Sequence, residues 1–253
     1  LLTKTFCHIQ GVGHTTERSL WEEGCEDWDK FLEDPSRYHV GVPGTEAVSK
    51  AVRRSKEMLE KGEYQYFRKG LGMAEAWRAW PEFRDSCVYL DIETNGGSSG
   101  DSITTIGLYD GSEYTCLIKD QSLDSFRDHI SRYSMIVSFF GASFDVPMLQ
   151  RRFPDVEFDQ IHLDLCPTLR RLGIKGGLKK IEKQLGINRG EDTDGLDGLA
   201  AIRLWHAYLR RGDEKALETL IAYNREDVVN LERLSAYAYE NLRRVTLPPG
   251  QYA

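Results

Sequence analysis

Residues 87–97 read CVYLDIETNGG, and they hold a contradiction: an apolar β-type run with Asp91 and Glu93 set inside it. Strand side chains alternate between faces, so residues two apart project from the same side. Asp91 and Glu93 therefore stand next to each other on one face, and the run contains no Lys or Arg to pair with them. Neighbouring carboxylates repel and resist desolvation unless a cation compensates them. The run asks for a cation from outside itself.

The texture of the chain changes around this stretch. Upstream, residues 1–84 read as helical pieces punctuated by Gly and Pro, with a helix predicted over 45–62 from a Thr cap, charged faces and a closing Gly. Downstream, SITTIGLY and EYTCLIK flank Asp110-Gly111 and predict a β-hairpin. SLDSFRDHISRY predicts a helix and MIVSFFG a further strand. After Pro147 the pattern is mostly helical, with candidates at 147–152, 178–185, 197–211, 213–222 and 224–242. Strands followed by covering helices indicate an α/β or α+β sheet with covering helices. The division is a helical region over 1–84, a sheet-bearing domain over 85–243 and a tail over 244–253.

Composition narrows the class. The chain has 253 residues, 40% hydrophobic and 11% aromatic, which is enough for a substantial core. A net charge of −7 argues against a generally basic nucleic-acid coat, though not against a local basic track. Five scattered cysteines without a CxxC suit free thiols in a reducing cytoplasm. No apolar stretch approaches a membrane span and no signal peptide is visible. The first residue is Leu rather than Met, which leaves room for residues ahead of it.

Two further acids are placed to join the first two. Asp145, in FFGASFDVPML, follows an apolar strand and precedes a helix. It reads as a helix N-cap, a role compatible with metal ligation. Asp227, in LIAYNREDVVNLERL, lies four residues after Tyr223, so the two share one helical face. Four carboxylates from separate segments suit a pair of hard divalent cations, Mg²⁺ or Mn²⁺, which prefer oxygen ligands. Two such ions roughly 3.5–4 Å apart can activate water and stabilise the leaving oxygen in phosphodiester cleavage. Asp164, in HLDLCPTL, reads either as a supporting acid or as a structural hydrogen-bonding group.

The series LDIET, SFD and Y-x-x-x-D, in that order over about residues 86–243, resembles the three motifs of the DEDD superfamily. These are the DnaQ-like 3′–5′ exonucleases of the tyrosine branch, and the layout is similar to the YprB-like group. The resemblance implies a ribonuclease H-like mixed sheet flanked by helices and a 3′–5′ exonuclease acting on DNA or RNA at single-stranded 3′ ends. It further implies that Asp91, Glu93, Asp145 and Asp227 hold two divalent cations, with Asp91 bridging both. Tyr223 would orient the attacking water, because an ordinary Tyr pKa near 10 makes it a poor base at neutral pH. The second motif usually carries Asn five residues before its Asp, where this chain has Phe140. That change removes no metal ligand but alters the expected grip on substrate.

Two other segments bear on nucleic-acid binding. TLRRLGIKGGLKKIEKQLGINRG concentrates Arg170, Arg171, Lys175, Lys179, Lys180, Lys183 and Arg189 against Glu182 alone. It reads as a phosphate track or as a solvated helix face. FCHIQGVGHTTERSLWEEG resembles a helix–hairpin–helix element, in which Gly11 and Gly13 would offer backbone N–H groups to a phosphate. Glu17, Glu22, Glu23, Glu26 and Asp27 oppose that reading, and the element equally fits a small packed helical unit. A nucleic-acid-binding module with a silent site, or a phosphohydrolase acting on small nucleotides, are the competing expectations.

Overall fold

The structure, a computed structural model, describes residues 1–190, 193 and 195–251. Five helices come first: α1 (His14–Glu22), α2 (Trp28–Glu33), α3 (Thr45–Glu60), α4 (Tyr64–Glu75) and α5 (Trp80–Phe83). Three strands follow, β1 (Cys87–Thr94), β2 (Ile103–Tyr109) and β3 (Tyr114–Ile118). The chain continues through α6 (Phe126–Ile130), β4 (Met135–Ser138), α7 (Asp145–Arg152), β5 (Ile161–Asp164) and α8 (Leu165–Arg170). It closes with α9 (Leu178–Gln184), α10 (Gly198–Arg211) and α11 (Glu214–Thr246).

The strands form one mixed sheet in the order β3-β2-β1-β4-β5. β1, β2 and β3 pair antiparallel, whereas β4 and β5 extend the sheet parallel to β1. Parallel neighbours need crossovers, which α6 and α7 supply. β1 explains the layering through its period of two. Val88, Leu90 and Ile92 face a cluster with Phe126, Met148, Leu149 and Phe153 beneath α6 and α7. Cys87 and Tyr89 face the other way, into a core with Val228, Leu231 and Leu234 of α11. That second core runs on without a break through Trp77 and Trp80 to Trp28, Phe31 and Phe67 of the N-terminal helices.

Several local expectations are met. The hairpin turns at Asp110, whose Oδ1 accepts from Ser112 N and Glu113 N at 2.9 and 2.8 Å. α3 begins at Thr45 itself, with Gly44 rather than Thr45 in the capping position. The structure corrects others. β5 and α8 were not expected, and the helices predicted over 213–222 and 224–242 are one continuous helix. The helix over 122–133 shrinks to a 3-10 turn plus the five residues of α6. At the N-terminus no helix leads into the Gly11–Gly13 turn; only a three-residue 3-10 turn at Leu2–Lys4 precedes it. Glu17 Oε1 is the reason, since it accepts from Phe6 N at 2.7 Å and Cys7 N at 3.0 Å, donors that a helix would have used internally.

Glu17 is also the centre of a buried ion network. Arg78, 1% exposed, pairs with Glu17 and Glu75, and Arg171 reaches Glu75 at 3.1 Å. All five cysteines are free thiols. No helix among the described residues is long and apolar enough to cross a membrane.

Candidate metal centre and nucleic-acid interface

The face of β1 that carries Tyr89 also carries Asp91 and Glu93, and α11 lies over it. Asp227, one turn beyond Tyr223 on α11, points at the same place. Asp91, Glu93 and Asp227 each bring one carboxylate oxygen within 4.8 Å of the others. The close approach of α11 depends on Gly107 of β2, which pairs with Asp91 in the sheet. A Cβ at Gly107 would sit 1.9 Å from Asn224 Oδ1.

Asn224 is fully buried and was missed by sequence reasoning. Its Nδ2 donates to Asp91 Oδ2 at 3.0 Å, while its Oδ1 accepts from Tyr114 Oη at 3.0 Å. The signal was present, because a polar residue three positions before Asp227 shares its helical face. Asn224 thus fixes one oxygen of Asp91 and leaves the other to the cluster.

Asp145 stands one step back from the tight trio. It is not the N-cap of α7: Phe144 holds that position, and Asp145 lies in the first turn. Its Oδ1 accepts from Ile92 N at 3.0 Å, which ties α7 to the strand between the two β1 acids. The turn that delivers it is held by Asp164, which accepts from Phe140 N at 2.8 Å and Ala142 N at 3.1 Å and also caps α8 through Cys166 N. Asp164 therefore has the structural role of the two considered. Gly141 in that turn has no room for a Cβ, which would lie 2.2 Å from Ser138 Oγ and 3.3 Å from Asp145 Oδ2.

Electrostatics follows from burial. Desolvation, with Asp227, Asp145 and Glu93 adding repulsion, pushes the Asp91 carboxyl well above the usual range. Burial and then Asp227 raise Glu93 to about 8, against the pull of Lys179. Burial raises Asp145 to about 7 although Ile92 N–H opposes it, and raises Asp227 to about 6 against Arg189. Each acid holds its proton to a higher pH than a free carboxyl does, until positive charge arrives. The donor set consists of hard carboxylate oxygens on two rigid elements, and it fits Mg²⁺ or Mn²⁺.

Two basic side chains of the expected track are drawn inward. Arg189, whose side chain is 5% exposed, is gripped by Glu182 at 2.7 and 2.9 Å and pairs with Asp227. Asn230 supports Glu182 at 3.0 Å. Lys179 donates to Tyr223 Oη at 2.6 Å, with its ammonium 4.1 Å from the centre of that ring, and also to the Leu196 carbonyl. Burial, before any neighbour, pushes the Tyr223 phenol upward, so it keeps its proton.

Lys179, Lys180, Phe139 and Tyr223 line a cavity of about 370 Å³ with Asp91, Glu93 and Asp227. Arg171 is turned to the N-terminal helices, donating to the Ala74 carbonyl at 2.6 Å. Arg170 and Lys175 are exposed and do not line the cavity. Phe140 is 49% exposed beside it. Gly11, with φ +86°, and Gly13, the capping residue of α1, lie instead on a separate cleft with His8 and Lys69. Arg189 bridges Glu182, seven residues before it, to Asp227, 38 residues after it, and no local pattern announces the second pairing.

No curated protein matches the chain. A family model described as the RNase_H superfamily, RNase_H_2, matches residues 88–239, from the second residue of β1 to the last third of α11. With its mixed sheet in the order β3-β2-β1-β4-β5 and its acids at the meeting of β1 and α11, the chain belongs to the RNase H superfamily.

Proposed function

We propose that the chain is a metal-dependent 3′–5′ exonuclease of the tyrosine type within the DEDD group, related to the YprB-like proteins. Superfamily membership itself implies a hydrolase acting on nucleic acid. The observation that carries the finer reading is the convergence of Asp91, Glu93 and Asp227 within 4.8 Å, with Asp145 anchored beside them through Ile92 N. In the same proposal, residues 1–84 form a helical leader to a nuclease unit over 85–243.

In this reading Asp91, Glu93, Asp145 and Asp227 would hold two divalent cations, and Asn224 keeps Asp91 oriented toward the cluster. Bound there, the cations supply a lowered water pKa and stabilisation of the leaving oxygen. The chain does the rest. Tyr223, protonated and with a lone pair taken by Lys179, is left with its O–H to donate, and it orients the attacking water or a phosphate oxygen rather than removing a proton. Lys179 and Lys180 on the cavity wall counter the charge of the scissile phosphate. Arg189 fixes Asp227 from behind, through one oxygen only.

Incubation with Mg²⁺ or Mn²⁺ and 5′-labelled single-stranded oligonucleotides is expected to give a descending ladder. The Asp145→Asn variant is expected to abolish it, and an unchanged ladder from that variant would sink the assignment. One observation favours a second reading, a nucleic-acid-binding module with a silent site: Arg189 and Lys179 already engage Asp227 and Tyr223. It predicts salt-dependent binding with no metal-dependent turnover at high enzyme concentration.

A further inference from the structure

The cavity that holds four acids is a poor place to grip a polyanion, and the chain as a whole carries −7. Something other than charge has to hold a strand at its edge. The turn between β4 and α7 offers it. Of the ten phenylalanines in the chain, Phe140 and Phe144 are the exposed ones, at 49% and 42%, and both lie on this turn. Phe139, immediately before, lines the acid cavity; Gly141, immediately after, abuts Asp145; Phe144 directly precedes Asp145.

Phe140 is also held in a conformation that its residue type avoids. Its φ is +66°, in the left-handed region where bulky side chains are outliers and Gly or Asn is at ease. The N–H groups of residues 140 and 142 are pinned by Asp164, itself 4% exposed, so the turn cannot relax around the ring. A large apolar side chain that is both strained and solvated gives up stability twice, and strain of this kind gathers at functional sites. Behind the turn, a groove of about 440 Å³ runs past Ala142 and Val146 to Arg68 and Lys69, two exposed cations.

We propose that Phe140 and Phe144 form a stacking platform for the bases of a single strand at the rim of the acid cavity, with the strand's backbone continuing along the groove toward Arg68 and Lys69. The proposal rests on the nucleic-acid reading above and names how that substrate is held. Stacking on an aromatic face is indifferent to base identity and to phosphate charge, so it works beside a cluster of carboxylates. The platform accepts unpaired bases, since paired ones present no free face.

The test needs no catalysis. Binding of a fluorescein-labelled oligothymidylate is measured in EDTA across a range of salt, alongside the same oligonucleotide with abasic sites at its 3′ end. Wild type is expected to bind the abasic strand about ten-fold more weakly, and the Phe140→Ala/Phe144→Ala variant to bind the intact strand about ten-fold more weakly. The variant should bind intact and abasic strands alike, because the partner of each lost base is gone. The dependence of affinity on salt should be the same in all four pairings, since no phosphate contact is removed. Phe140→Asn relieves the left-handed strain and is expected to melt no lower than wild type while binding as weakly as Phe140→Ala. Equal affinity of wild type and the double variant for the intact strand would overturn the platform while leaving the nuclease reading standing. Wild type that binds neither strand, in EDTA or with Ca²⁺ in its place, would overturn both, and would point to a protein occupant for the two rings.

Discussion

Two groups of buried carboxylates in this molecule meet opposite fates. In the N-terminal region Glu17 is 1% exposed and accepts from two backbone N–H groups and the guanidinium of Arg78. The chain itself completes that group. At the junction of β1 and α11, burial is similar but compensation falls short: among the described residues, Asp227 alone of the trio has an ion-pair partner. Glu93 and Asp145 accordingly rise to about 8 and about 7. A buried acid that is fully paired is architecture. A cluster left short of positive charge is a receptor for it.

The comparison can be broken most sharply by exchanging the fates. Asp91→Asn is expected to lower nuclease activity about a thousand-fold or more, the scale on which groups that stabilise developing charge act. The same variant is expected to melt no lower than wild type without metal, because an amide at this buried position has no charge to desolvate as the pH rises. A metal-free melting temperature lowered by Asp91→Asn would contradict the receptor reading. Arg78→Met should do the reverse in the N-terminal group, leaving Glu17 buried and unpaired. A loss of about 3–5 kcal/mol in urea denaturation is expected, the usual result of breaking one half of a buried pair. Mn²⁺ affinity should be retained in the folded fraction.

pH sharpens the contrast further. The acids of the site hold protons in the folded state up to about 8 for Glu93, about 7 for Asp145 and about 6 for Asp227. In the unfolded chain they release them near pH 4, the ordinary range for Asp and Glu. Between those limits the native state binds more protons than the unfolded state, so stability falls as pH rises. The metal-free protein is therefore expected to melt progressively lower from about pH 5 to pH 8. Saturating Mn²⁺ should displace the protons and flatten the profile. A flat metal-free profile would show that the cluster is already compensated. The smallest effect is expected at Gly107→Ala, where the new methyl must push Asn224 away from its 1.9 Å approach. A loss of about 1–3 kcal/mol in stability is expected from such overpacking, with metal affinity weakened through Asp91.

Much of the site was legible because its logic is local. The alternation in VYLDIE set two acids on one face, and the four-residue step from Tyr223 to Asp227 set both on one turn-to-turn stripe. The order of strands and helices pointed to a sheet with covering helices, and its ribonuclease H-like form followed only from the resemblance of the three motifs. What escaped was short or non-local. β5 has four residues, too few for a period to show, and it is identified by its pairing with β4. The segments 213–222 and 224–242, expected as two helices, are one, α11. In the fold, Asn224 is buried against Gly107 and Asp91, and tertiary packing carries the helix through. Arg189 looked like one basic residue among seven. Only folding brings it to Glu182 and Asp227.

The 33 residues of α11 reach about 50 Å at 1.5 Å per residue, and Tyr223, Asn224 and Asp227 sit in its first half. Its second half packs Tyr239 between Trp77 and Trp80 of the N-terminal helices. The amides around Asp227 are thus spanned by a helix anchored at both ends, and fraying cannot reach them. Their hydrogen exchange is expected to proceed only through global unfolding, at the slowest rate in the molecule. The metal-side wall of the cavity then behaves as a rigid rail, and any opening that admits or releases a strand falls to the elements facing it.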